Sequence, residues 1–180
     1  MVREVFTELP SSNEIFIDSN VLFLVHTQLP TDSQHRDKQS AYSNAIAFLI
    51  KNNKKLVTSW LNIAEVFNTI ERVIFDTYKS ASGVGERFSK KDFRNLLDQR
   101  ELVYNEIMRV YNEIELYYFI ADATFKKNAI DKFARTYLQH KYDPSDFIMA
   151  TIIIRDEIKD VISDDKDFHD ETRFTSHSRV

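Results

Sequence analysis

The stretch Ile15-Phe16-Ile17-Asp18-Ser19-Asn20-Val21-Leu22-Phe23-Leu24 decides how the chain is read. Three apolar residues with strong strand preference run into a carboxylate, and apolar residues resume at Val21. The junction reads as a buried strand over residues 14–18 that ends on Asp18, with Ser19 as the N-cap of a short helix from Asn20. In open α/β sheets the ligand crevice lies outside the carboxyl ends of the strands, so Asp18 is delivered to the place where such folds bind. The same grammar returns as Val161-Ile162-Ser163-Asp164-Asp165. Two strand ends that each carry an Asp point to an acidic metal site.

Working outward, strands alternate with helical patterns. Tyr42, Ala45, Ile46 and Leu49 recur at the spacing of an amphipathic helix, and Leu56-Val57-Thr58 reads as a second strand. Trp60, Ile63, Ala64, Phe67, Ile70 and Ile74 follow the period of a long helix, and a polar loop is expected over 79–89. Phe93, Leu96, Leu97, Tyr104, Ile107, Met108 and Tyr111 mark a second long helix. Leu116 to Ile120 is dense in aromatics, which fits a third strand or a continuation of that helix; periodicity does not choose. Asp122 suits the cap of a helix reaching about His140. Asp143-Pro144-Ser145-Asp146 is a helix start, with Asp143 at the N-cap and Pro144 in the first turn. The helix after it, to Arg155, is apolar nearly all round and is expected to be central and buried. Val161-Ile162 is a fourth strand. Alternation of this kind argues for α/β architecture: three layers, α/β/α, around a mostly parallel sheet of four or five strands, with an elongated helical pair inserted at about 60–112. The whole chain, 1–180, reads as a single domain.

Composition narrows the chemistry. The chain has 180 residues, 43% hydrophobic and 29% charged, which is globular and ample for one core. It has no cysteine, so disulfides, thiolate zinc sites, iron–sulfur clusters and a cysteine nucleophile are excluded, and a cytoplasmic location fits. Its only glycines, Gly83 and Gly85, lie between two helical patterns, where neither a Rossmann fingerprint nor a P-loop can be built. The five histidines show no zinc-binding spacing and read as surface or cap residues. No apolar run approaches the roughly 20 residues of a membrane span, and around Arg3, Glu4 and Glu8 there is no long apolar stretch, so no signal peptide is expected. The net charge of −4 argues against sequence-blind binding of nucleic acid over the whole surface, while leaving room for local basic patches.

Four acids fall at element junctions. Asp18 ends the first strand, Glu65 sits early in the helix after the second, Asp146 opens the buried helix, and Asp165 follows the fourth strand with Asp164 and Asp167 beside it. Singly, each has an ordinary explanation as a cap, a solvated helix residue or an exposed turn. In parallel strands they converge on one edge, and carboxylates so gathered raise each other's pKa unless a cation intervenes. Oxygen ligands select hard divalent ions such as Mg²⁺ or Mn²⁺, and such an ion can activate water and brace a phosphodiester.

Four segments in this order resemble the PIN-domain family of metal-dependent nucleases, which includes VapC-type toxins. They are Ile15–Asn20 (IFIDSN), Ser59–Glu65 (SWLNIAE), Asp146–Thr151 (DFIMAT) and Ile162–Phe168 (ISDDKDF), and they span most of the chain. The resemblance implies Mg²⁺ or Mn²⁺ held by Asp18, Glu65, Asp146 and Asp165, with Asp167 as a further acid. It implies Asn20 and Ser163 as supporting polar residues. The chain departs from the pattern at Ser163, where Thr is commoner, and at Asp164, where Asn is frequent, so that Asp164 and Asp165 compete for the ligand role. The excess length lies around 71–115, and the short tail after His169 leaves the family's last strand abbreviated or missing.

The activity expected on this resemblance is endoribonuclease cleavage of RNA, leaving 5′-phosphate and 3′-hydroxyl ends, in the toxin of a toxin–antitoxin pair. An antitoxin or a second copy of the chain would pack on the helical elaboration. Two other readings stay open: a non-catalytic module that binds RNA or protein, and a DNA nuclease of the flap type. Lys126, Lys127, Lys132 and Arg135, or Lys90, Lys91 and Arg94, are basic faces that could hold RNA backbone, against the simpler reading of solvated surface. Lys51, Lys54 and Lys55 fall at the opposite end of the sheet.

Overall fold

A computed structural model describes residues 9–29, 33–122, 134–135, 143–165, 168 and 174–178. Five short strands form one parallel sheet: β1 (Glu14–Ile17), β2 (Lys55–Ser59), β3 (Tyr118–Ala121), β4 (Asp160–Ile162) and β5 (Thr175–His177). Their order across the sheet is β3-β2-β1-β4-β5. The chain steps outward from β1 to β3, then returns to the other side of β1 with β4. The order therefore reverses between β1 and β4, and such a switch point opens a crevice at the strands' carboxyl ends. The last strand is present, three residues long.

The described helices are α1 (Ser19–His26), α2 (Ser33–Lys51), α3 (Trp60–Ser82), α4 (Lys90–Arg94), α5 (Leu97–Tyr117) and α6 (Pro144–Arg155). The strands alternate between two cores, as side chains of period two must. Ile15, Ile17, Leu56 and Ile162 pack with α1, α2, α3 and α5. Phe16, Val57 and Val161 turn the other way, onto Met149, Ile152 and Ile153 of α6 and onto Phe168 and Phe174. A parallel sheet covered on both faces explains why its strands read as continuous apolar runs.

Several boundaries differ from the sequence reading for local reasons. Asp18, not Ser19, is the N-cap of α1: its backbone is extended (φ −77°, ψ 159°), its carbonyl accepts the first helical bond from Leu22, and Ser19 is already helical. The long helix α3 runs on to Ser82, and the loop begins at Gly83, whose φ of +65° ends the helix in the left-handed region glycine tolerates. The expected second long helix is two pieces. Ser89 and Asp92 form a reciprocal capping box that starts α4, Asn95 closes it, and α5 starts afresh at Leu97. The inward stripe shifts accordingly: Val110 and Ile114 are buried, while Leu97 and Tyr104 are exposed. At Leu116–Ile120 both readings hold in part, because the helix continues through Tyr117 and β3 starts at Tyr118. Trp60 is half exposed, stacked on Tyr111 at 6.1 Å between ring centroids. In α6 the apolar face is buried at Met149, Ala150, Ile152 and Ile153, and Asp143 caps the helix as expected, accepting from the Asp146 amide at 2.9 Å. The helix expected from Asp122 to about His140 lies mostly outside the described residues.

His26 is a core residue, not a surface or cap one. Its Nδ1 lies 2.8 Å from Glu113 and its Nε2 2.7 Å from the Tyr118 hydroxyl. Burial lowers its pKa, against the pull of Glu113. A neutral imidazole fits both contacts, donating from Nδ1 to the carboxylate and accepting the phenol proton at Nε2. Arg109 on α5 donates to the His26 carbonyl and pairs with Glu106 and Glu113. This network fixes the far end of α1, and so the helix whose near end carries Asp18.

Candidate functional site

Asp18 is held from every side. Its amide donates to the Ile162 carbonyl of β4 at 3.0 Å, while the carbonyl before it, on Ile17, accepts from Thr58 Oγ1 at 3.1 Å and Asn62 Nδ2 at 3.0 Å. Asn62 is itself clamped by Ser59, the N-cap of α3, through a 3.0 Å side-chain bond. The last turns of β1, β2 and β4 are thus locked around one position. The carboxylate there is 2% exposed. Oδ1 accepts from the Ser19 amide at 2.6 Å, and Oδ2 accepts from Ser163 Oγ at 2.6 Å and Asn20 Nδ2 at 2.9 Å.

Despite these donors, Asp18 has its pKa raised to about 6. Burial is the main cause, and the neighbouring charges of Glu65 and Asp165 add to it, against the lowering by Ser163 and Ser19. Asp146, in the first turn of α6, is raised further, to about 7, by burial and then by Asp143, Asp18, Asp165 and Glu65. Asp18, Glu65, Asp146 and Asp165 therefore share one electrostatic environment, on the edge where the switch point opens. Among the described residues, no three His, Asp or Glu side chains close into a group able to hold a metal ion. The donor set is nonetheless all oxygen, the kind of ligand a hard divalent cation takes.

Asp164 points elsewhere. Its carboxylate takes Lys38 Nζ at 2.5 Å and the Tyr42 hydroxyl at 2.9 Å, both from α2. Its amide donates to Asn20 Oδ1 at 3.1 Å, and the next amide, of Asp165, donates to Ser163 Oγ at 3.0 Å. The turn after β4 is thereby fixed so that Asp164 is committed to α2, while the charge of Asp165 acts on Asp18 and Asp146. Asn20 and Ser163 both contact Asp18 and both hold that turn. Asp167 lies outside the described residues, as do Lys126, Lys127 and Lys132. Arg94 is engaged in a two-point pair with Glu71, each contact 2.6 Å.

Sequence reasoning missed three contributors. Tyr42 read only as an apolar position of α2, yet its hydroxyl reaches Asp164 from a fully buried ring. Asn62 is a polar residue on a buried stripe; its spacing from Ser59 was the available signal. Asp143 read as a cap alone, and its charge also acts on Asp146.

No protein-family model matches the chain, and no curated protein matches it in sequence. In structure it is similar to a chain of the crystal structure of VapBC2 from Rickettsia felis bound to a DNA fragment from their promoter. The likeness covers 92% of this chain and 98% of that one, at a TM-score of 0.54 with 15% of residues identical. At that identity it speaks to the fold, which is PIN-like.

Proposed function

We propose that the protein is a divalent-metal-dependent endoribonuclease, the toxin member of a toxin–antitoxin pair. The observation that carries this is a pair of aspartates, Asp18 and Asp146, each raised first by burial and further by the charges of Glu65 and Asp165, at the switch point of a PIN-like sheet. Carboxylates raised by burial and by neighbouring acids at a binding crevice mark a functional site more than a structural one. Asp18, Asp146 and Asp165 would hold Mg²⁺ or Mn²⁺, with Glu65 as a further ligand or as the residue that orients water. Asp167 would add a fifth acid from the segment after Asp165. When bound, the ion screens the phosphate from the acids and makes water a better nucleophile. Asn20 and Ser163 keep Asp18 oriented. Attack by water on phosphorus breaks the bond to the 3′ oxygen, which takes up a proton, leaving a 5′-phosphate and a 3′-hydroxyl.

The structural likeness to a chain of VapBC2 supports an antitoxin as partner, and a homodimer is the other arrangement we consider. A cytoplasmic location fits this role; among the described residues no helix is long and apolar enough to cross a membrane. The test is cleavage of a single-stranded RNA in Mn²⁺ by wild type, Asp18→Asn and Asp146→Asn. Both variants should lose activity, and undiminished cleavage by either would remove the assignment.

A second reading, a PIN-like module that binds RNA or protein without cutting, is favoured by the absence of a closed ligand group among the described residues. Calorimetric titration with Mn²⁺ separates the two: no heat of binding at any pH between 6 and 8 would favour the module.

A further inference from the structure

Beside the acids a groove of about 520 Å³ opens between α1, α2 and α3. That volume suits a small-molecule-sized group such as one nucleotide. Asn20 and Glu65 mark its acidic end, Phe23 and Val66 give it apolar lining, and Lys38 and Arg72 supply positive charge. The two cations differ. Lys38 is neutralised by Asp164 at 2.5 Å. Arg72 is exposed and makes no hydrogen bond or ion pair with the described residues. Its sequence neighbour Glu71 does not neutralise it, being taken at both oxygens by Arg94.

We propose that this groove receives single-stranded RNA, and that Arg72 holds a backbone phosphate one step along the strand from the acids; the inference rests on the nuclease reading. Arg72 follows Glu65 by seven residues on α3, so the two share a face about 10 Å apart along the axis. Thr69 lies between them on that face and also lines the groove. An extended strand whose scissile phosphate sits at the acids therefore lays a neighbouring phosphate near Arg72. A guanidinium matches phosphate with two parallel donors and stays charged at every relevant pH. The chain's net charge of −4 repels a polyanion at long range, which makes a free cation beside the acids the natural point of capture. The Phe23 ring offers a stacking face to the base. Lys38 is a positioning residue in this scheme, holding Asp164 and the turn after β4.

The test uses a fluorescein-labelled 12-nucleotide RNA of mixed sequence in EDTA, where no cutting occurs, with anisotropy read across a salt series. Arg72→Gln should weaken binding about tenfold and make the slope of log K against log salt shallower by about 0.7. Arg72→Lys should keep the wild-type slope. Lys55→Gln, at the opposite end of the sheet, should match wild type in both. Wild-type affinity and slope in Arg72→Gln would overturn the inference, as would a wild-type protein that does not bind the strand. Cleavage in Mn²⁺ is scored separately. A wild type that binds through Arg72 but never cuts would remove the nuclease reading and leave the groove assignment standing. Active Arg72→Gln enzyme with unchanged KM would overturn the groove assignment alone.

Discussion

Asp18, just past the end of β1, and Asp160, at the start of the adjacent β4, are both buried aspartates, 2% and 4% exposed, yet they stand at opposite ends of the sheet and in opposite electrostatic states. Asp160 opens β4. Burial would raise its pKa, but His177 at 2.8 Å and the amide and hydroxyl of Ser12 outweigh burial and bring it below the ordinary value. Asp18 also accepts three strong bonds, and still rises to about 6, chiefly because of its deep burial, with the charges of Glu65 and Asp165 adding to the rise where Asp160 has an imidazole. Both are shielded from solvent, but Asp18 lies deeper among protein atoms, and the partners then push the two carboxyls in opposite directions. One end of the sheet is built to be satisfied, fastening β5 and the segment before β1. The other gathers acids that raise the carboxyls beside them.

The sharpest way to break that contrast is to neutralise each aspartate in turn. Asp18→Asn should cut Mn²⁺-dependent RNA cleavage by two orders of magnitude or more, since even residues that only orient metal ligands are worth roughly 10–100-fold. Asp160→Asn should leave kcat and KM near wild type and instead lose roughly 1.5–3 kcal/mol of stability, the worth of charged hydrogen bonds. Steady-state kinetics and urea unfolding read the two outcomes; matching losses of activity would mean that the two ends are not separate.

The pH dependence of stability should also differ in sign. Folded Asp18 keeps its proton to about pH 6, whereas the unfolded chain releases it near 3.8. Between those values the native state binds more protons, so this residue's contribution falls as pH rises through the window, by about 3 kcal/mol in all. In EDTA, Asp18→Asn should therefore gain on wild type progressively from pH 4 to 6.5 in urea midpoints. Parallel curves would show that Asp18 is not held protonated. Asp160 works the other way: its contribution is present above the ordinary carboxylate value and is lost as pH falls through its lowered one. Saturating Mn²⁺ should erase the Asp18 effect and release protons on binding near pH 6.5, because bound carboxylates must be ionised.

How much of this was legible in the sequence follows the same division. The sheet was readable because a two-sided parallel strand must be apolar throughout, as Ile15-Phe16-Ile17 and Val161-Ile162 are. The Asp143-Pro144 start of α6 was readable because capping chemistry is local. The break between α4 and α5 was hidden: Ser89 and Asp92 signal a start, yet apolar residues continue at helical spacing across it. Between Asp164 and Asp165 the sequence offered two equal carboxylates; Lys38 and Tyr42, more than 120 residues away, turn the first aside. His26 looked like a surface residue because nothing near it in sequence announces Glu113 and Tyr118. Short-range chemistry could be read from the chain, and long-range pairing could not.

The smallest expected effect comes from the contact that separates those two acids. Tyr42→Phe removes one hydroxyl from a buried ring and leaves the packing of α2 intact, so stability should fall by only about 1 kcal/mol. The functional consequence should be distinct from that of a metal ligand. Asp164 keeps Lys38, and the turn after β4 keeps its bonds to Asn20 and Ser163, so the acids stay assembled and RNA affinity is preserved. What loosens is the aim of Asp165. The Mn²⁺ concentration for half-maximal cleavage should rise by a few fold while kcat at saturating Mn²⁺ recovers. Adding Lys38→Gln should enlarge the shift beyond the sum of the single changes, because each partner covers for the other at one carboxylate. An unshifted Mn²⁺ requirement in the double variant would mean that Asp164 does not position the site, and that the turn is held by Asn20 and Ser163 alone.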